Sequence, residues 1–227
     1  RAYDQISQDL CINNSPATIV TFSGSVYGMN DVTHLGLYDI PMLSNIPNLV
    51  YLAPTTKEEY LAMLDWSIEQ TEHPVAIKLP GGEMVSDGKQ ITKDFSVLNK
   101  YEMTQQGKKV AFIGLETFYS LAVEAAAELE KKTGVKPTVI NPYYITGTDE
   151  QMLEELKKEH DVVVTIEDGI LDGGFGEKIA RFYGDSVVKV LNFGLKKEFP
   201  DRYNVDEILK KNHLTKELIL TDIMNNL

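Results

Sequence analysis

What most constrains this chain is a set of short, nearly continuous β-branched runs set between helical patterns. Residues 17–22 (ATIVTF), 49–53 (LVYLA) and 75–79 (VAIKL) are apolar almost throughout rather than at alternate positions. A strand with one wet face alternates, whereas a strand covered on both faces does not. The runs therefore predict buried strands of a parallel sheet, and parallel neighbours need crossover connections. Helical patterns fill those connections over 33–45 and 56–71. The second opens on Thr55 and Thr56 with Glu58 and Glu59 in its first turn, a capping signal that also suits the helix dipole. The alternation restarts with strand 109–114 (KVAFIG), helix 117–132, strand 137–140 (PTVI), helix 148–160 and strand 161–166 (DVVVTI). Helix 174–183, strand 187–191 and a closing helix 215–226 complete it. The intervening stretch, rich in Gly, Lys, Asp, Gln and Thr, reads as a linker with room for a strand or two, residues 95–98 being a weak candidate. The expectation is an α/β protein of two parallel or mixed sheet units, over residues 1–81 and 109–227, joined by a linker over 82–108.

The 227 residues carry a net charge of −12, which argues against a nucleic-acid backbone as partner. One cysteine, Cys11, excludes an internal disulfide and fits a reducing cytoplasm. It falls in a helical pattern beside apolar positions, so a buried, inert thiol is expected. No apolar run approaches the ~20 residues of a membrane helix, and no signal peptide is visible. The chain opens RAYDQISQDLCINN, already in helical spacing at Ala2, Ile6 and Leu10, with no Met and no cap ahead of it. The expectation is a fragment whose residue 1 is not the native start.

Ligands of open α/β sheets gather beyond the carboxyl ends of the strands, so the loop after ATIVTF is a favoured position for function. It contains His34, which could carry a proton near neutral pH. On pattern alone a second reading stands beside this one: Thr33 caps the next helix and His34 sits in its first turn. The segment 168–176 (DGILDGGFG) lies between a strand and a helix. It could hold an anion at the helix N-terminus, but its glycine spacing is not that of a phosphate loop, and a tight turn or close contact is the commoner use. His34, His73, His160 and His213 are scattered without ligand spacing, so no complete metal site is expected. No Gly-x-Ser-x-Gly elbow is present.

The order of motifs is more specific than any of them singly. RAYDQ at 1–5, T-H-x-G-x-x-D at 33–39 and P-N-x-x-x-x-A-P at 47–54, followed by VVVTIEDGILDGGFGE at 162–177, resemble the thiamine-diphosphate enzymes of the transketolase family. The likeness is greatest to its 1-deoxy-D-xylulose-5-phosphate synthase branch and spans essentially the whole chain. It implies a truncated pyrimidine-binding domain followed by a transketolase C-terminal domain. It further implies decarboxylation of pyruvate and transfer of the two-carbon unit to glyceraldehyde 3-phosphate; a ketose donor, as in transketolase proper, is the alternative. Thiamine diphosphate and Mg²⁺ would be anchored mainly by residues upstream of this sequence, and a homodimer would complete the site. By the same resemblance His34 would be catalytic, and Arg1 and Tyr3 would lie near the cofactor. Asn30, Lys78 and Ser23 would face the substrate. Departures are also visible: Ser23 and Gly81 stand where the synthases usually carry arginines, and Asn30 where they carry an aspartate. Arginine suits a phosphate through paired, charge-assisted donors, so altered phosphosugar specificity is expected. A non-catalytic, degenerate homologue is the remaining alternative.

Overall fold

The structure is a computed structural model, and it describes residues 2–227. Two sheets carry the fold. The first has three parallel strands in the order β1-β3-β2, with β1 at Ala17–Thr21, β2 at Val50–Leu52 and β3 at Pro74–Lys78. Register runs from Ala17 opposite Pro74 to Thr21 opposite Lys78 on one side of β3, and from Val50 opposite Val75 on the other. The second sheet has the order β4-β6-β5-β7-β8. Its strands are β4 Glu102–Gln105, β5 Lys109–Gly114, β6 Thr138–Asn141, β7 His160–Ile170 and β8 Lys189–Leu195. All neighbours are parallel except β4, which runs antiparallel to β6 from within the stretch expected to be linker. The two-unit α/β architecture expected from the apolar runs is the one observed.

Helix boundaries follow capping chemistry. The Thr56 hydroxyl accepts from the Glu59 N–H at 3.2 Å and starts α3 at Lys57–Glu69. Glu59 reaches back to the Thr55 N–H at 2.6 Å, so the first turn is tied from both ends. The sixteen-residue helix α4, Phe118–Thr133, stops at Gly134, whose φ of 72° is the left-handed cap that glycine adopts without strain. Asp149 caps α5 at Glu150–Leu156, and α6 spans Phe175–Tyr183. Asn204 caps α7 at Val205–Lys211, a helix not anticipated from the sequence; α8 is Lys216–Met224.

Three expectations need correction. No helix runs over 33–45; only Asp39–Leu43 is helical, as α2. The Asp31 carboxylate accepts from the Thr33 N–H (3.0 Å) and hydroxyl (2.6 Å), and such local bonds compete with helix. Residues 95–98 form no strand, because Asp94 makes the same kind of turn with Ser96 while Phe95 packs against Trp66 and Tyr143. The helix expected over 148–160 ends at Leu156, and His160 already belongs to β7. The opening stretch is helical as expected, α1 covering Tyr3–Gln5 and continuing as a π-helical turn over Ile6–Cys11 that buries Cys11.

The sheets meet along a seam. The Ala53 N–H donates to the Tyr143 carbonyl and the Ile145 N–H to the Tyr51 carbonyl, both at 2.8 Å. One apolar core then runs through both units, with Ile40, Tyr51 and Ala76 packed among Ala111, Ile113, Val163 and Phe175. A second joins Val26 and Leu37 to Phe112, Phe118 and Val164. The loop after β1 is thus built on the seam rather than hung from one sheet. Among the described residues no helix is long and apolar enough to cross a membrane.

Candidate active site

The loop leaving β1 turns at once, with Ser23 in the left-handed region at φ 56°. Gly36 lies so close beneath it that a Cβ there would stand 1.8 Å from the Ser23 carbonyl oxygen, so only glycine fits. The far side of the loop is tied to the C-terminal unit. Asn30 donates to the Tyr203 carbonyl at 3.0 Å, the Arg202 N–H donates to the Asn30 carbonyl at 2.6 Å, and the Tyr203 hydroxyl donates to the Val26 carbonyl at 2.9 Å.

His34 rides on this frame with its side chain 62% exposed. Its Nδ1 is 2.8 Å from the Thr33 hydroxyl, which itself donates to Asp31. A hydroxyl whose proton is committed to a carboxylate accepts from its other neighbour. The bonding therefore places the imidazole proton on Nδ1 and leaves Nε2 as an outward-facing acceptor. Those hydrogen bonds from Thr33 hold the Asp31 carboxyl below its ordinary range. Thr33 thus orients the ring through Asp31 rather than capping a helix, and the Asp-x-Thr spacing is the signal that marks this role.

Lys78 is not brought to this surface. It is fully buried at the end of β3, and its ammonium donates to the Gly24 carbonyl and to Asp39 Oδ2, the latter at 2.9 Å. Glu116 Oε2 lies 3.9 Å away. Asp39 also accepts from the Tyr51 hydroxyl at 2.6 Å. Burial alone would push the Lys78 ammonium down, but Asp39, Glu116 and Asp168 together hold it above the ordinary lysine range. Burial drives the Glu116 carboxyl far up; Lys78 opposes this, while Asp168 and Asp39 add to it. Asp168 is raised by burial, against the pull of Lys78 and of hydrogen bonds from the Ser25 hydroxyl, the Val26 N–H and the Thr117 hydroxyl. A buried charge cluster thus clamps the root of the His34 loop to both units.

Ser23 is half-buried and Asn30 exposed, each beside the loop but with Asn30 committed to Tyr203. Tyr3 is 40% exposed, and Arg1 lies outside the described residues. Phe22, Tyr27, Met29 and Val32 leave an uncovered apolar surface on the same loop. The glycine-rich turn before α6 holds no space for a foreign anion. Glu167 accepts from the Phe175 N–H at 2.7 Å and the Gly176 N–H at 2.8 Å, so the chain's own carboxyl group fills that helix N-terminus. A Cβ on Gly174 would stand 2.5 Å from that carboxyl group, which accounts for this glycine.

Residues 99–219 match the family described as Transketolase, C-terminal domain, and residues 1–84 match Transketolase, pyrimidine binding domain. The chain belongs to the transketolase family. That family's enzymes depend on thiamine diphosphate. Among its relatives, the 1-deoxy-D-xylulose-5-phosphate synthase of Clostridium tetani is 33% identical over 226 residues, covering 99% of this chain and 36% of the relative. That of Gloeothece citriformis is 30% identical over 233 residues, covering 100% and 36%. This transketolase-family chain therefore spans about a third of the length of the curated relatives it matches. A solved split-gene transketolase, described as an inactive beta4 tetramer, superimposes with a TM-score of 0.82 at 21% identity over 99% of this chain and 71% of its own. A transketolase mutant from Pichia stipitis gives a TM-score of 0.72 at 19% identity over 95% and 30%.

Proposed function

We propose that this chain is the pyrimidine-binding and C-terminal part of a thiamine-diphosphate-dependent transferase of the 1-deoxy-D-xylulose-5-phosphate synthase type. The reaction is decarboxylation of pyruvate and transfer of its two-carbon unit to an aldose phosphate such as glyceraldehyde 3-phosphate. The single observation that carries it is the His34 arrangement: an exposed imidazole, oriented through Thr33 by Asp31, on a loop beyond the carboxyl end of a parallel strand. Similarity to the Clostridium tetani synthase supports the choice of branch.

The residues present fit one side of such a cofactor. Exposed Phe22 and Tyr3 offer aromatic surface for a heterocycle, and His34 offers a proton carrier. Lys78, locked in the seam, is not a donor for the diphosphate, so diphosphate and Mg²⁺ would be held by residues outside this sequence. When bound, thiamine diphosphate supplies the electron sink for decarboxylation. His34 Nε2 then takes or gives a proton at the substrate oxygen that changes charge, and the Asp31–Thr33 pair keeps the ring in the tautomer that does so. Arg1 and Tyr3 are proposed to border the aminopyrimidine. Ser23 presents a small hydroxyl toward the substrate, which weakens its hold on a phosphate. Asn30 and Lys78 act by holding the loop rather than by touching substrate. The uncovered apolar residues beside His34 suit a homodimer contact, and the single free cysteine suits a cytoplasmic setting.

The test uses the longer protein containing this chain, assayed for acyl transfer from pyruvate. His34→Asn should lower kcat by about 10²–10⁴-fold with little change in cofactor affinity. An unchanged kcat would remove His34 from the chemistry. Failure of the wild-type protein to bind thiamine diphosphate with Mg²⁺ would make the chain a non-catalytic homologue.

A further inference from the structure

Between β8 and α7 the C-terminal unit runs without regular structure, and its residues 198–203 lie along the loop that carries His34. The contacts fall on both sides of the histidine. Before it, the Tyr203 hydroxyl reaches the Val26 carbonyl, Arg202 and Tyr203 hold the backbone and side chain of Asn30, and the Val32 N–H donates to Asp201 Oδ1 at 3.2 Å. After it, the Tyr38 hydroxyl donates to the Glu198 carbonyl at 2.5 Å, and the Tyr38 ring meets Phe199 edge-on with centroids 5.5 Å apart. Among the described residues, every hydrogen bond that residues 27–36 make outside their own loop goes to this segment. Arg202 holds φ 47° there, a left-handed backbone that an arginine keeps only where its surroundings over-determine it.

Asp201 acts nearest the histidine. The peptide joining Asp31 to Val32 is gripped at both ends: its carbonyl accepts from the His34 N–H at 2.9 Å, and its N–H donates to Asp201. The Asp31 side chain in turn takes the proton of the Thr33 hydroxyl that meets His34 Nδ1. Rotation of this one peptide therefore breaks the His34 backbone bond and carries Asp31 away from Thr33. Val32 is 40% exposed, so water would satisfy its N–H in place of Asp201. What Asp201 adds beyond water is a fixed peptide plane, held by a charge-assisted bond.

We propose that Asp201 is a positioning residue for His34. It locks the Asp31–Val32 peptide, and through it the orientation and tautomer of the imidazole, so the C-terminal unit sets the geometry of a loop that belongs to the other unit. The structural half of this stands on the contacts; its catalytic consequence rests on the transferase reading.

Asp201→Ala and Asp201→Asn test it. In the 227-residue chain at about pH 8.5, where an imidazole is ordinarily neutral, nitrogen NMR reports which ring nitrogen carries the proton. The His34 signals are those lost in His34→Asn. Asp201→Ala should bring the two nitrogens toward a common shift, the mark of mixed tautomers. Asp201→Asn keeps an acceptor oxygen and should stay close to wild type, with the proton on Nδ1. Tm should fall by no more than about 4 °C in either variant, as for one exposed bond. In the longer protein, Asp201→Ala should lower kcat for transfer from pyruvate about 10- to 100-fold with KM for pyruvate unchanged, and Asp201→Asn should recover most of the loss. Unchanged His34 ring nitrogens in Asp201→Ala would overturn the assignment, as would an Asp201→Asn variant as damaged as Asp201→Ala, or a shifted ring with undiminished kcat. A wild-type protein that carries out no transfer defeats the transferase reading instead, and the ring spectra then decide the role of Asp201.

Discussion

Replacing Lys78 with Met tests whether the seam depends on one buried cation. Methionine keeps the length and apolar body of the lysine stem, so the perturbation is mainly electrostatic. Removing one partner of a buried ion pair costs about 3–5 kcal/mol, because the remaining charge stays desolvated without compensation. The surroundings place this case near the lower end. Asp39, at 14% exposure, keeps some solvent and the Tyr51 hydroxyl. Asp168 keeps its three donors, and burial already pushes the Glu116 carboxyl far up against the pull of Lys78. A loss of about 3 kcal/mol is expected, with a fall in Tm of roughly 6–12 °C for a chain of this size.

Equilibrium urea unfolding at pH 7 measures it, in a cycle with Asp39→Asn. Because Lys78 is raised above the ordinary lysine range, its contribution is complete below about pH 10.4 and is lost only as pH climbs through the folded-state value. The gap between wild type and Lys78→Met should therefore be the same at pH 7 and pH 9. The double variant removes both charges and should recover about 2 kcal/mol relative to Lys78→Met alone. A cost under about 1 kcal/mol, or a double variant no more stable than Lys78→Met, would refute the clamp.

Burial pushes Glu167 up to about 8, so the folded chain keeps a proton that the unfolded chain releases above about pH 4.3. Stability from this group must fall as pH rises from 5 to 8, by on the order of 4 kcal/mol; Glu167→Gln should flatten that slope in urea titrations, whatever its effect on absolute stability. Gly36→Ala should destabilise by about 1–3 kcal/mol and shift the NMR signals of the His34 ring, since its Cβ would collide with the Ser23 carbonyl. Tyr203→Phe removes the donor to the Val26 carbonyl and should cost about 1 kcal/mol, with faster amide exchange confined to the loop after β1.

The sheets were legible in the sequence because their signal is local. A run such as VAIKL reports burial on both faces whatever it packs against, and the Thr56 cap reads out within four residues. The end of the helix pattern at 33–45 was not legible, since apolar spacing is blind to a carboxylate that satisfies its own backbone two residues on. His34 stood out by motif, but its orientation did not: the tautomer depends on the chain from Asp31 to Thr33, which is geometry rather than spacing. Lys78 was set near the substrate by family resemblance, which carries no information on what closes over it here. Only the fold shows that Asp39 from α2 and Glu116 from the other unit close over it. Nothing within a helix or strand period links these three positions. Their meeting also ties the seam to the loop proposed to carry the chemistry. The ammonium that satisfies Asp39 also holds the Gly24 carbonyl at the root of the loop carrying His34, so a change that loosens the seam should shift the NMR signals of the His34 ring.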